Sequence, residues 1–171
     1  MAQELAKRSL CSRDQVGCVI TDLNNKIIGE GYNGPPSGFW HAQQPCTQWC
    51  QRTKNAELDG EFAVLNAEGE VVQHLGLHPA YEDCPALHAE ANALMMSDRT
   101  LRSGGTIYVT SHVCISCAKL IANSGLFGVH VVTDQEVRDY RNADKSYEFM
   151  AACGLTINVN GQVISRKASQ S

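Results

Sequence analysis

Short apolar runs separated by turn-forming residues recur along much of the 171-residue chain. The first two runs, 16–21 and 26–32, flank the turn-forming residues 22–25, and this arrangement predicts a β-hairpin. Further along the chain, segments rich in good helix formers alternate with short β-rich segments. We predict helices over 88–96, 114–124 and 144–153, and strands over 106–110, 128–132 and 155–159.

This order of elements predicts an α/β fold. A strand–helix–strand unit places its two strands parallel and its helix against the sheet. The pattern therefore predicts a mixed five-stranded sheet, mostly parallel after the hairpin, with helices on both faces. The chain length suits a single domain.

Residues 39–87 do not fit this alternation. Pro35 and Pro36 end the hairpin in a loop, and no sustained periodicity follows until the helix at 88. An insert of this length is too long for a plain connection in a compact domain, so we expect something other than an apolar core to order it. At the other end, residues 166–171 are expected to form a frayed tail.

Charge and hydropathy exclude several classes of function. The net charge is −4, the pI is about 5.8, and the basic residues are scattered, which argues against a nucleic-acid partner. No apolar run approaches the length of about 20 residues that crosses a membrane. The first residues lack the apolar core of a secretory signal, so we expect a cytoplasmic protein.

The chain has eight cysteines and six histidines. In a reducing compartment, disulfides are not expected, and clustered cysteines are more often metal ligands. Cys18 and Cys153 lie in apolar contexts and are expected to be small buried hydrophobic residues.

A metal-binding pattern stands at the start of two predicted helices. His88 opens one of them, and Cys114 and Cys117 open the next. Free N–H groups and the helix dipole favour thiolates there, and three protein ligands leave a fourth position for water, as in catalytic zinc sites. Two alternatives remain open: a redox-active Cys-x-x-Cys pair, or a structural zinc held by four cysteines (46, 50, 114 and 117), which would leave His88 without a role.

Glu90 follows His88 by two residues. On a regular helix the two side chains would point about 200° apart, so they share a site only within an irregular first turn. The segment resembles the signature of zinc-dependent base deaminases, His-x-Glu followed by Pro-Cys-x-x-Cys, in which the glutamate carries protons and does not bind the metal.

Several motifs together resemble the deoxycytidylate (dCMP) deaminase family. The resemblance covers residues 11–159 and rests on these segments: Val16-Gly17, Gly31-Tyr-Asn-Gly34, His88-Ala-Glu-Ala-Asn-Ala93, Ile107-Tyr-Val-Thr110, Cys114-Ile-Ser-Cys-Ala-Lys119 and Ser124-Gly125. It implies a cytidine-deaminase-like three-layer α/β/α sandwich that hydrolyses dCMP to dUMP and ammonia, feeding dTMP synthesis. Zinc would activate the water, and Glu90 would move the protons.

The chain departs from the family at one point beside the metal ligands. The family usually has proline before the first metal cysteine, whereas this chain has Val113. Proline there is a pre-organised helix start, so we expect valine to change the geometry only slightly.

The resemblance also implies a substrate site. Asn33 would bond the sugar hydroxyl, Arg13 and Ser9 would hold the phosphate, and His112 would line the base pocket. Three of these residues also have a plainer interpretation: a left-handed turn at Asn33, a solvated arginine at Arg13, and a packed histidine at His112.

Regulation is a further implication. The family often responds to dCTP as activator and dTTP as inhibitor, at a site between subunits of a hexamer. Gly31, Tyr32, Gly34 and Arg99 are the candidates for such a site, and a triphosphate would bring Mg²⁺ with it. Turn geometry alone would also explain both glycines.

A second, structural zinc is implied for the insert. Its candidate ligands are Cys46, Cys50, Cys84 and His41, of which the first two would share one face of a helix. A closed four-ligand site would give this polar insert the order that apolar burial does not supply. Unligated cysteines in a folded loop are the alternative.

Two other functions compete with dCMP deamination. One is a related deaminase acting on a free nucleoside, a riboflavin precursor or tRNA, although the acidic pI disfavours tRNA. The other is a non-catalytic zinc-binding module, which would need a closed four-ligand site and would tolerate loss of the Glu90 carboxylate.

Overall fold

The computed structural model describes residues 1–39, 62–65, 70–75, 84–134 and 142–164. These residues form four helices and eight strands in this order: α1 (Ala2–Ala6), β1 (Gly17–Thr21), β2 (Ile27–Tyr32), β3 (Phe62–Leu65), β4 (Val71–Leu75), α2 (Ala89–Met96), β5 (Thr106–Val109), α3 (Ile115–Ala122), β6 (Gly128–Val131), α4 (Ala143–Ala152), β7 (Thr156–Val159) and β8 (Gln162–Ile164). The predicted hairpin, three helices and three later strands are all confirmed.

The main sheet has the strand order β2-β1-β5-β6-β7-β8. Strands β5, β6 and β7 are parallel, whereas β1, β2 and β8 join antiparallel to their neighbours. The mixed sheet is as predicted, but it has six strands and not five. The missed strand, β8, returns against β7 through the tight turn at Asn160 and Gly161, which have φ of 50° and 87°.

Helices pack on both faces of this sheet. The side chains on one face are buried beneath α2, α3 and α4, which lie side by side. On the opposite face α1 packs so closely on β1 that a Cβ at Gly17 would lie 1.9 Å from the Ala2 carbonyl oxygen. The helix-side core of the sheet consists of Cys18, Ile20, Ile107, Val109, Val129, Val131, Ile157 and Val159.

Two elements near the start and middle of the chain were not predicted. The short helix α1 lacks a sustained apolar stripe, and β3 and β4 form a separate antiparallel pair inside the insert. The insert therefore contains two strands, which the absence of sustained periodicity in its sequence did not predict.

The two cysteines expected to be buried differ. Cys18 in β1 is fully buried, as predicted. Cys153 is exposed, and its prediction was wrong, because it caps the end of α4 one turn beyond the buried Met150 side. Within the described part of the chain, no helix is both long and apolar enough to cross a membrane.

Candidate metal centre

The two helices that carry the predicted ligands begin side by side. His88 is the N-cap of α2 and Cys114 is the N-cap of α3, both with extended backbone. Their side chains therefore project from the helix ends, where unpaired backbone N–H groups and the helix dipoles favour negative charge. Val113, which takes the place of proline, is fully buried and leaves the first helical bond intact, from the Ala118 N–H to the Cys114 carbonyl at 2.9 Å.

Three ligand atoms converge between these helix ends. The His88 Nδ1 lies 3.4 Å from the Cys114 Sγ and 3.3 Å from the Cys117 Sγ. The ligand atoms of all three residues lie within 4.8 Å of one another, and among the described residues this is the one His/Cys/Asp/Glu cluster of its kind. Ligands on a tetrahedral zinc lie roughly 3.6 Å apart, given Zn–S near 2.3 Å and Zn–N near 2.0–2.1 Å.

The donor chemistry fits a divalent cation. A hydrogen bond from the Cys117 thiol lowers the pKa of Cys114, and the same contact, together with burial, raises the pKa of Cys117. The opposite directions of the two pKa shifts reflect the close contact between the two sulfurs. A cation between them would allow both to be thiolates, which is the form that binds zinc.

Glu90 lies beside the three ligands in the first turn of α2. Its side chain is 3% exposed, and burial raises its pKa to about 7 against the lowering effects of a backbone N–H, the His88 charge and a hydrogen bond from Cys117. The extended backbone at His88 explains how the two residues share a site, since His88 stands before the regular helix. Cys18 of β1 lies underneath, where burial first and the Glu90 charge second raise its pKa.

Asn33 cross-links the loop before β1. Its Oδ1 accepts from the Val16 N–H and its Nδ2 donates to the Asp14 carbonyl, both at 2.8 Å. Its φ is not in the left-handed region, so the turn interpretation is wrong. One amide hydrogen is left over from these two bonds.

The two predicted phosphate contacts lie in different environments. Ser9 is 1% exposed, and its hydroxyl donates to the Asn33 carbonyl at 2.8 Å while accepting from the Cys11 N–H. Arg13, four residues later, is exposed. The structure therefore gives Ser9 a role in holding the loop and leaves the Arg13 guanidinium at the surface.

His112 is buried two residues before the first metal cysteine. Its Nδ1 lies 2.5 Å from the Tyr147 hydroxyl of α4, and the two rings meet edge to face. The interpretation as a packed histidine is thus supported by a partner that sequence did not indicate. Asp14 was also missed: its carboxylate accepts from Ser111, which leads into the same segment.

The four candidates for an effector site divide into two places. Gly31, Tyr32 and Gly34 line a surface cavity of about 890 Å³ beside β2, together with Arg8, whose guanidinium lies over the Tyr32 ring. Arg99 is exposed on the connection after α2. Gly31 has extended backbone, and its role in the fold is close packing: a Cβ there would lie 2.3 Å from the Ala89 carbonyl oxygen.

The predicted second zinc site falls mostly outside the described residues. His41, Cys46 and Cys50 lie there, while Cys84 is described and is partly buried. The backbone N–H and carbonyl of Gly34 both bond to the backbone of Leu87. Leu87, the last residue of the insert, is thereby joined to the loop after β2, and His88 follows it directly.

Comparison with known proteins agrees with this geometry. Residues 1–133 match the model of the cytidine and deoxycytidylate deaminase zinc-binding region. The chain belongs to this family. The zinc-binding region of this family agrees with the donor set of His88, Cys114 and Cys117, and the resemblance recognised in the sequence is confirmed.

Two relatives and two solved structures illustrate the similarity. The chain is 35% identical over 126 residues to a deoxycytidylate deaminase of Mycobacterium phage D29, covering 74% of this chain and 84% of the relative. It is 31% identical over 156 residues to the deoxycytidylate deaminase of Homo sapiens, covering 91% and 69%.

The fold is shared with the dCMP deaminase of cyanophage S-TIM5, crystallised with dCMP and dUMP, at a TM-score of 0.59 and 24% identity over 92% of this chain and 90% of that one. RibD of Acinetobacter baumannii has the same fold over a third of its length, with a TM-score of 0.56, 21% identity, and coverage of 93% and 33%. The predicted cytidine-deaminase-like fold is therefore confirmed.

Proposed function

We propose that this chain is a zinc-dependent hydrolase that converts dCMP to dUMP and ammonia, supplying the precursor of dTMP. The observation that carries the proposal is the open set of three ligands, His88, Cys114 and Cys117, with the buried Glu90 beside it. The relatives named deoxycytidylate deaminase, and the dCMP and dUMP bound by the cyanophage protein, support the choice of substrate.

In this proposal His88 Nδ1 and the two cysteine sulfurs hold the zinc, which when bound lowers the pKa of a water toward about 7. Glu90 takes one proton from the attacking water and delivers it to N3 of cytosine. It then takes the second proton of the same oxygen and delivers it to the amine, which leaves as ammonia when its bond to C4 breaks. A carboxyl with a pKa of about 7 suits this task, because it can both accept and donate near neutral pH.

The substrate contacts implied by the resemblance belong to the same proposal. The remaining amide hydrogen of Asn33 is available to a sugar hydroxyl, and the exposed Arg13 offers two parallel donors to a phosphate. His112 borders the centre through Val113. Ser9 would act on the substrate through the loop that it holds, since its proton is bound to Asn33.

Regulation by dCTP and dTTP, with Mg²⁺ on the triphosphate, is the finer part of the proposal. The cavity beside Gly31, Tyr32 and Gly34 has room for a nucleotide, and Arg8 supplies a cation to it. We place Arg99 at a contact between subunits of a hexamer.

A second zinc at His41, Cys46, Cys50 and Cys84 would order the insert. The use of so many free thiols as ligands favours a reducing compartment, which is why we propose the cytoplasm.

The test is ammonia release from dCMP, deoxycytidine and dCTP measured side by side, with dCTP and dTTP then added at subsaturating dCMP. We expect the largest kcat/KM for dCMP and sigmoidal kinetics that dCTP relieves. A larger kcat/KM for deoxycytidine would reassign the substrate within the same chemistry, and rates independent of both triphosphates would remove the regulatory part.

A further inference from the structure

One arginine outside the metal centre touches both helices that carry the ligands. Arg102 lies in the connection between α2 and β5, and its guanidinium is partly buried. Its Nη1 donates to the carbonyl oxygens of Leu94 and Ser97, both at 2.8 Å, and lies 2.9 Å from the Ser97 hydroxyl. Its Nε donates to the Ser124 carbonyl at 3.1 Å.

These acceptors belong to the C-terminal ends of two different helices. Leu94 is in the last turn of α2 and Ser97 is its C-cap, while Ser124 directly follows the C-cap of α3. Carbonyl groups in the last turn of a helix lack the usual partner four residues later, so they accept from other donors. The Leu94 carbonyl accepts from the Ser97 N–H and hydroxyl as well as from Arg102, whose guanidinium also reaches Ser124 at the end of α3. One guanidinium thus supplies donors to both helix ends.

The opposite ends of the same two helices carry the metal ligands. Both α2 and α3 have eight residues and are therefore about 12 Å long. His88 stands at the start of the first and Cys114 at the start of the second, and the two helices are in contact. A tie at one end of such a short parallel pair restricts their spacing and tilt at the other end.

The positive charge of Arg102 also stabilises its position at the C-terminal ends of the two helices. A cation at the C-terminal end of a helix is stabilised by the helix dipole, whose positive end here faces the thiolates. The planar guanidinium reaches acceptors in two directions at once, which a lysine ammonium on a flexible stem does not reproduce. A backbone bond beside it, from the Gly104 N–H to the Gly125 carbonyl at 2.7 Å, holds the connection against the end of α3.

We propose that Arg102 is a positioning residue for the metal centre, which sets the relative placement of α2 and α3 so that His88, Cys114 and Cys117 converge before metal binds. This rests on the proposed zinc ligands, and not on the identity of the substrate. It makes metal affinity, and not only stability, depend on a side chain that lies a full helix length from the ligands.

The test compares Arg102→Met, which keeps much of the apolar stem and removes every donor, with Arg102→Lys, which keeps the charge. Zinc affinity is measured by competition with a chromophoric chelator, and the ligand geometry by the visible absorption of the Co²⁺-substituted protein. For Arg102→Met we expect zinc affinity to fall by about tenfold, the loss typical when support of metal ligands is removed, with an altered Co²⁺ spectrum. Arg102→Lys should recover only part of the affinity.

A variant that is merely less stable serves as the matched control. Ile157→Ala removes a buried side chain from β7, which packs against α4, and should lower the melting temperature while leaving zinc affinity and the Co²⁺ spectrum of the folded protein unchanged. If Arg102→Met, measured where it is folded, binds zinc as tightly as the native protein, the proposal is overturned. If Arg102→Met does not fold, Arg102→Lys decides, with native zinc affinity and spectrum counting against the proposal. An absence of dCMP turnover in the native protein would leave these metal measurements intact and would count only against the proposed function.

Discussion

Helices α2 and α3 have the same length and each begins at a proposed metal ligand, but they are held in place differently. Helix α2 lies with its backbone against strand β2, where Gly29 and Gly31 leave no side chain between them. Its buried face is made of Ala89, Glu90 and Ala93, while the two methionines at its end are exposed. The contact is thus one of backbone on backbone.

Helix α3 is held by side chains. It buries Cys117, Ala118 and Ile121 in the core beneath it. Side chains can shift to fill a small gap, whereas two backbones in contact cannot move without moving the whole helix. We therefore expect a substitution at the contact between α2 and β2 to displace the residues of the metal centre, and a small substitution inside α3 to leave them in place.

The two helices also contribute different chemistry to the centre. The largest predicted effect comes from removing the chemical group that α2 alone contributes. Helix α3 supplies two ligands, while α2 supplies one ligand and the carboxyl of Glu90. Replacing that carboxyl by an amide, Glu90→Gln, should lower kcat by about 10³-fold, because the proposed proton carrier is lost while all three proposed ligands remain. Steady-state kinetics and zinc content per chain check this.

The matched control is Glu148→Gln, which changes an exposed glutamate on α4 and should leave both kcat and zinc content unchanged. Retention of full turnover in Glu90→Gln would contradict the role of Glu90 as proton carrier, whereas an absence of dCMP turnover in the native protein would favour a zinc-binding module without catalysis.

The next largest effect concerns the contact between α2 and β2. In Gly31→Ala the new Cβ would lie 2.3 Å from the Ala89 carbonyl oxygen and 2.5 Å from the Ala93 nitrogen. The helix has to move outward, so we expect the free energy of unfolding to fall by about 2 kcal/mol and kcat to fall by up to about 10²-fold as His88 and Glu90 shift. Chemical denaturation and kinetics measure the two losses.

Gly38→Ala is the comparison, since its Cβ meets nothing within 4 Å and its backbone is not left-handed. Equal stability and activity in the Gly31 and Gly38 variants would show that α2 does not lie on β2 as described.

The smallest effect concerns α3. Ile121→Val removes one methyl group from a fully buried position, and we expect a loss of about 1 kcal/mol in the free energy of unfolding. Zinc content and kcat should stay at the native values, because the neighbouring side chains absorb the change. A fall in kcat as large as that of Gly31→Ala would remove the distinction between the two helices.

The same contrast explains what could be predicted from the sequence. The hairpin, α3 and the later strands follow from local composition and turn residues. The ligand set follows from the chemistry of histidine and cysteine at helix starts. The placement of Glu90 required more, because only the extended backbone at His88 brings it to the ligands. The pair Asn160-Gly161 is typical of a tight hairpin turn and therefore indicates a further strand, β8, which the prediction of five strands did not include.

Other features depend on contacts between distant parts of the chain. From the sequence alone Gly31 is interpreted as a turn former, and only the packing of α2 on β2 shows that it is needed for close contact. The partner of His112 is known only once the fold brings Tyr147 of α4 next to it. Asn33 likewise acts as a cross-link to Asp14 and Val16, which no spacing in the sequence indicates. Arg102 could not be identified from the sequence, since its acceptors are three backbone carbonyls and the Ser97 hydroxyl, which only the fold brings together.

The most direct test of the account is dCMP turnover as a function of zinc content. The protein is stripped of metal with a chelator, titrated with Zn²⁺, and assayed for ammonia release beside Cys117→Ser, which lacks one ligand. We predict that activity disappears on stripping, returns in proportion to zinc at the His88, Cys114 and Cys117 centre, and does not return in Cys117→Ser. Ammonia release from dCMP that persists in the metal-free protein, or in Cys117→Ser, would contradict the account.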